Sequence, residues 1–152
     1  MVRLLPADQA AGQRRLRSLV YISAATGDLN PLQDTALLSR WRAHNARHDI
    51  TGLLLHKDGD FLQYLEGPEP EMTLLYAHIG ADPRHTHLIE LLREPIARRE
   101  FANWPLACFS ARSYRSADLN PPDDALRRVL LPSAGWRSSA RLLITTFWWA
   151  GR

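Results

Sequence analysis

The chain has one cysteine, Cys108, and one lysine, Lys57, in 152 residues. A single thiol excludes an intrachain disulfide and a thiolate zinc site within one chain, and it suits a reducing cytosol. Positive charge is therefore almost entirely arginine, and 19 Lys+Arg against 16 Asp+Glu leave a net charge of only +3. The arginines are scattered from Arg3 to Arg152 without a basic run, which argues against nucleic-acid binding. No stretch approaches the roughly 18 uninterrupted apolar residues of a membrane span. Residues 142–150 are too short and contain two threonines. Near the N-terminus, Pro6, Asp8, Gln9 and Gln13-Arg14-Arg15 interrupt any apolar run of signal-peptide length, so the expectation is an unprocessed cytoplasmic protein without a membrane partner. The sequence has no internal repeat, no nucleophile-and-base motif and no recognisable metal-ligand spacing, so no enzyme is expected.

What is present is an ordinary globular composition, 45% hydrophobic and 23% charged, at a length that suits one domain. Residues 1–16 read as a polar extension, 17–112 as the domain and 113–152 as a helical extension. Residues 18–23 have the β-branched and aromatic content of a strand, with Leu19, Tyr21 and Ser23 on one face and Val20 and Ile22 on the other. Asp28, Asn30 and Pro31 precede an apolar helical stripe at Leu38, Trp41, Asn45 and His48, which turns Asn45 inward. Two strand-like runs, 50–56 and 61–66, flank Lys57-Asp58-Gly59-Asp60, a strong hairpin signal. In the second run Phe61, Gln63 and Leu65 share a face. Pro68 and Pro70 open a helix carrying Met72, Leu75, Tyr76 and Ile79, which Gly80 and Asp82-Pro83 close.

Two more strands near 87–93 and 106–111 complete the order βαββαββ, an α+β ferredoxin-like arrangement with a five-stranded mixed sheet and two helices on one face. Helices at 125–131 and 136–150 are expected C-terminally. The second would cover the other sheet face, where Val20, Ile22, Leu62 and Tyr64 would otherwise meet water. A sharper alternative makes Trp148 and Trp149 a partner interface.

Six segments in order carry a family resemblance: Leu19-Val-Tyr-Ile-Ser23, Ala43-His-Asn-Ala46, Ile50-Thr-Gly-Leu-Leu54, Gly59-Asp-Phe-Leu-Gln-Tyr-Leu-Glu-Gly-Pro68, Asp82-Pro-Arg-His85 and Arg99-Glu-Phe-Ala-Asn-Trp104. Together they resemble the BLUF family of blue-light sensors, over about residues 17–112. The resemblance implies a flavin, FAD with FMN or riboflavin as alternatives, held between the two helices. It implies that Asn45 bonds the polar edge of the ring and that Gln63 bridges the ring to the Tyr21 phenol. By the same resemblance His44, Arg84 and His85 lie near the cofactor, and Trp104 and Leu106 belong to the photoactive surroundings. Leu106 stands where many relatives carry Met, and leucine cannot exchange hydrogen bonds as a thioether weakly can.

An isoalloxazine ring is a flat, mostly apolar plate with polar atoms along one edge, so it needs aliphatic walls and a few fixed amides. Asn45 and Gln63 are residues of that kind on otherwise apolar faces. Taken singly, a strand tyrosine is a packing residue and buried amides bond backbone groups. His44, His48, His85 and His87 leave a metal site open, and a ferredoxin-like sheet can also bind nucleic acid. The implied function is blue-light sensing: a Tyr-Gln-flavin hydrogen-bond network rearranges, and the signal leaves by binding an unidentified downstream regulatory protein through the C-terminal region. A homo-oligomer is expected.

Overall fold

A computed structural model of the chain describes residues 15–27, 34–110 and 138–150. The elements are β1 (Leu16–Ala25), α1 (Thr35–Arg47), β2 (Thr51–Lys57), β3 (Asp60–Pro68), α2 (Glu69–Ala81), β4 (His85–Pro95), β5 (Ala107–Ser110) and α3 (Ser139–Trp149). The strands form one sheet in the order β4-β1-β3-β2-β5. β1 pairs antiparallel with β3 and β4, β2 pairs antiparallel with β3, and β5 runs parallel to β2. This is the expected α+β ferredoxin-like βαββαββ sheet. Residues 1–14 of the N-terminal extension, the helix expected at 125–131 and most of the C-terminal extension fall outside the described residues, and Leu16, assigned to that extension from sequence, opens β1.

Local chemistry explains where the elements start and turn. At the β2–β3 hairpin, Asp58 has φ 52° and Gly59 φ 81°, the two positive values that a two-residue primed turn needs to match strand twist. At Gly52 a Cβ would collide with the carbonyl oxygen of Tyr64, so β2 and β3 pack this closely only because the side chain is absent. Residues 28–33, where start signals were expected, are undescribed. Helix α1 begins instead at Thr35, where Asp34 Oδ1 accepts from the Leu37 N–H at 2.9 Å. Pro68 precedes α2, Pro70 and two glutamates lie in its first turn, and Asp82 ends it, with Gly80 inside the helix.

Strand alternation divides the interior into two faces. Leu19, Tyr21, Ile50 and Leu65 pack with Met72 of α2. On the same face, Leu54, Phe61, Leu106 and Cys108 pack with Leu38 of α1. Val20, Leu53, Leu55, Leu62, Tyr64 and Phe109 point the other way, onto Ala140, Ile144 and Trp148 of α3. The C-terminal helix thus covers the second sheet face, as its apolar spacing implied. The partner-interface alternative fails for Trp148: at 2% exposure its ring is spent on the core. Trp149 is only half-buried against the same cluster.

α3 has no basic residue in its last turn. Lys57, at the end of β2, supplies one from outside, donating to the carbonyls of Phe147 at 3.0 Å, Trp148 at 3.1 Å and Ala150. A cation there satisfies carbonyls left without helical partners and meets the negative end of the helix dipole.

Candidate functional site

Tyr21 and Gln63 are register partners on the antiparallel β1–β3 pair, and Gln63 is also the register partner of Leu54 on β2. Strand pairing alone therefore puts phenol and amide side by side on the face covered by α1 and α2. The Tyr21 hydroxyl donates to Gln63 Oε1 in a bond buried within the fold. With that oxygen engaged, the Gln63 NH2 group is the part of the amide left to serve a ligand. Tyr21 is fully buried and packs edge-on against Tyr76, ring centroids 5.9 Å apart. Burial, then the neighbouring Tyr76 and Asp82, push its phenol well above its ordinary titration range, so it stays a hydrogen-bond donor at neutral pH.

In front of this pair a cleft of about 550 Å³ opens between α1 and α2. Its apolar walls include Leu37, Trp41, Leu54, Leu75, Ile79 and Leu106, and its polar groups include Asn45, Gln63 and His44. That is the composition a largely apolar ring with one polar edge requires, and the volume falls in the usual range for cofactor pockets. The residues present therefore fit a flavin.

Asn45 is 3% exposed and lines the cleft, with its Nδ2 donating to the Pro105 carbonyl at 2.8 Å. His44 also lines it, its ring tilted against that of His48 at 4.4 Å between centroids and stacked toward that of His78 at 6.1 Å. Partial burial, then the neighbouring His48 and His78, lower the titration of His44. Arg84 reaches the cleft while paired with Asp82 at 3.1 Å. His85 opens β4 beside it, and its side chain lies outside the described residues. Among the described residues no group of three His, Cys, Asp or Glu is placed to hold a metal ion. His48 is bonded to Glu71 at 2.7 Å instead.

Trp104 and Leu106, expected together, are separated. Leu106 is buried and lines the cleft. Trp104 is half-buried in the core beneath α3, its ring centroid 6.1 Å from that of Phe101. The cause is a turn: the Trp104 N–H bonds the Phe101 carbonyl at 3.0 Å, which breaks strand alternation before β5 begins.

Several contributors were missed from sequence. His78 and Asp82 lie with Leu75 and Ile79, already on the α2 stripe, along the side of the helix that lines the cleft, and this spacing was the available signal. Glu66 is fully buried and accepts from Tyr64 Oη at 2.7 Å, Thr51 Oγ1 at 3.1 Å and the N–H groups of Glu100 and Phe101 at 2.6 and 2.9 Å. It ties the loop before Trp104 to the strand that carries Gln63. Only a buried glutamate in the motif hinted at it.

Comparison with known proteins agrees with this geometry. Residues 16–107 match the BLUF family model, described as sensors of blue-light using FAD. The chain is 38% identical over 125 residues to the photoactivated adenylate cyclase subunit beta of Euglena longa, covering 82% of this chain and 14% of that protein. It is 32% identical over 114 residues to the blue light- and temperature-regulated antirepressor BluF of Escherichia coli strain K12, covering 75% of this chain and 27% of that one. The chain thus spans a small part of the curated relatives it matches. Among solved structures, the dark state of BlrB, a BLUF protein, aligns at TM-score 0.61 and 34% identity over 70% of this chain and 83% of its own. A Klebsiella pneumoniae BlrP1 complex with manganese and cy-diGMP aligns at TM-score 0.73 and 31% identity, over 90% of this chain and 33% of its own. Fold, cleft and relatives converge: the chain belongs to the BLUF family of blue-light sensors that use flavin.

Proposed function

We propose that Tyr21 and Gln63 are the responding pair of this photoreceptor, with the flavin ring seated in the cleft between α1 and α2. The observation that carries the reading is the buried Tyr21–Gln63 hydrogen bond at the wall of that cleft. When bound, the flavin supplies blue-light absorption and one-electron chemistry. With the flavin bound, Tyr21 would serve as donor of an electron and its hydroxyl proton to the excited ring and would take both back from it, with Gln63 as the amide that rotates or tautomerises in between. The net change is one of hydrogen bonding alone. Asn45 holds the polar edge of the ring, His44 and Arg84 flank the cofactor, Leu54 and Leu106 form walls, and Trp104 anchors the neighbouring loop beneath α3.

FAD is the cofactor we assign. Arg40, Arg47 and Arg84 all line the cleft, and guanidinium groups suit the phosphates that FAD and FMN carry and riboflavin lacks. Residues 17–112 form the sensor, and 113–152 carry its output to a regulatory protein in the cytosol, as part of a homo-oligomer. No helix among the described residues is long and apolar enough to cross a membrane. The test is the purified protein itself. A yellow sample whose released cofactor chromatographs as FAD, and whose spectrum shifts red under blue light and returns in the dark, supports the reading. A colourless sample that takes up no added flavin overturns it.

A further inference from the structure

The segment leading into β5 is gripped by three consecutive carbonyls. Trp104 O accepts from the Gly52 N–H at 3.0 Å, Pro105 O from Asn45 Nδ2 at 2.8 Å and Leu106 O from Arg42 Nε at 2.8 Å. Pro105 has no N–H with which to join a strand ladder, so these contacts replace ordinary sheet pairing. Arg42 and Asn45 are three residues apart on α1 and therefore share one helix face. Of the two, only Asn45 lines the cleft.

One hydrogen bond would let this segment swivel about its acceptor. Two bonds from one helix to adjacent carbonyls fix both its position and its direction. We propose that Arg42 is a positioning residue that couples α1 to the start of β5, so that a hydrogen-bond change at the cleft is passed to β5 instead of being absorbed by the joint. The inference rests on the photoreceptor reading above. Asn45 senses the cofactor edge with one amide proton while another holds Pro105, and Arg42 makes the next residue follow.

The chain carries its own reporter. Cys108 is the only cysteine, stands two residues after Leu106, is 6% exposed and pairs in register with Leu54. Burial pushes its thiol up to about 12, with the Arg42 charge acting weakly against that rise. Removing Arg42 therefore disfavours the thiolate, and any faster thiol labelling in its absence reports opening of β5, not electrostatics.

The experiment labels Cys108 with an aromatic disulfide reagent in the full flavin-bound chain, in darkness and under blue light, for the parent, Arg42→Met and Arg42→Lys. In the parent, light accelerates labelling. Arg42→Met is expected to label about tenfold faster in the dark, the factor for losing one hydrogen bond to a charged donor. Light then adds nothing further, while the red shift persists because Tyr21 and Gln63 are untouched. Arg42→Lys, which keeps a charged donor, restores part of the light-to-dark difference. A red-shifting parent and Arg42→Met with the same two labelling rates would overturn this inference alone, as would a parent that red-shifts yet labels equally in light and dark. A parent that binds flavin but shows no red shift would overturn the photoreceptor reading, and this inference with it.

Discussion

Tyr21 and Gln63 face one another across the β1–β3 ladder as register partners, and the phenol of one donates to the amide oxygen of the other. Neither residue depends on a flexible loop for its placement. A one-residue slip of β3 against β1 would carry Gln63 to the face beneath α3, so the same apolar alternation that builds the core also sets the photochemical pair.

Tyr21 should not ionise across the pH range in which an exposed tyrosine does. Its folded-state titration is raised, first by burial, so the fold favours the neutral phenol. The sign follows: stability from this group is complete below the unfolded value of about 10 and is lost as pH rises beyond it. Tyr64 behaves alike, raised by burial and then by the Glu66 carboxylate. Tyrosinate absorbance in a pH titration should therefore appear for these two residues only together with loss of near-ultraviolet circular dichroism. Ionisation of both in a folded protein below pH 10 would contradict their burial.

Asn45→Ala should weaken flavin retention by about 1–3 kcal/mol, a roughly 5- to 150-fold rise in dissociation constant, because the buried polar edge of the ring loses its partner. The same substitution frees the Pro105 carbonyl. Equilibrium dialysis against FAD measures it, and equal occupancy in mutant and parent would remove Asn45 from the cofactor site.

Trp148→Ala should cost about 3–5 kcal/mol in unfolding free energy, since it empties a ring-sized space between α3 and the sheet. Urea denaturation is the readout. A loss below 1 kcal/mol would show that α3 does not pack there.

Lys57→Met should loosen only the end of α3. The methionine keeps the aliphatic reach but cannot donate to the carbonyls of Phe147, Trp148 and Ala150. A cost of about 1 kcal/mol is expected, with faster amide exchange confined to the last turn of α3 and the N–H groups it protects. Unchanged exchange in that turn would contradict the cap.

Much of this fold was legible because its signals are local. Alternation at 19–23, the Asp58-Gly59 turn and the stripe ending at Ile79 each specify an element without knowledge of its neighbours. Tyr21, Asn45 and Gln63 were legible as polar groups on apolar faces, and the register then brought two of them together. The parting of Trp104 from Leu106 was not legible, because a single turn at 101–104 decides it. Arg42, Lys57 and Glu66 were hidden for a related reason: each acts on backbone groups more than thirty residues away, and no sequence pattern marks a carbonyl that needs a donor. The apolar spacing of α3 made its covering role legible, and with Trp148 in the core that role holds over the interface alternative.

The most direct test is the blue-light difference spectrum of Tyr21→Phe and Gln63→Leu beside the parent, recorded before illumination, just after it and following dark recovery. Both variants keep side-chain volume and should retain bound flavin. The parent should shift red and recover, and neither variant should show the persistent, dark-reversible shift. If either photocycled as the parent does, Tyr21 and Gln63 would not be the pair that responds to light.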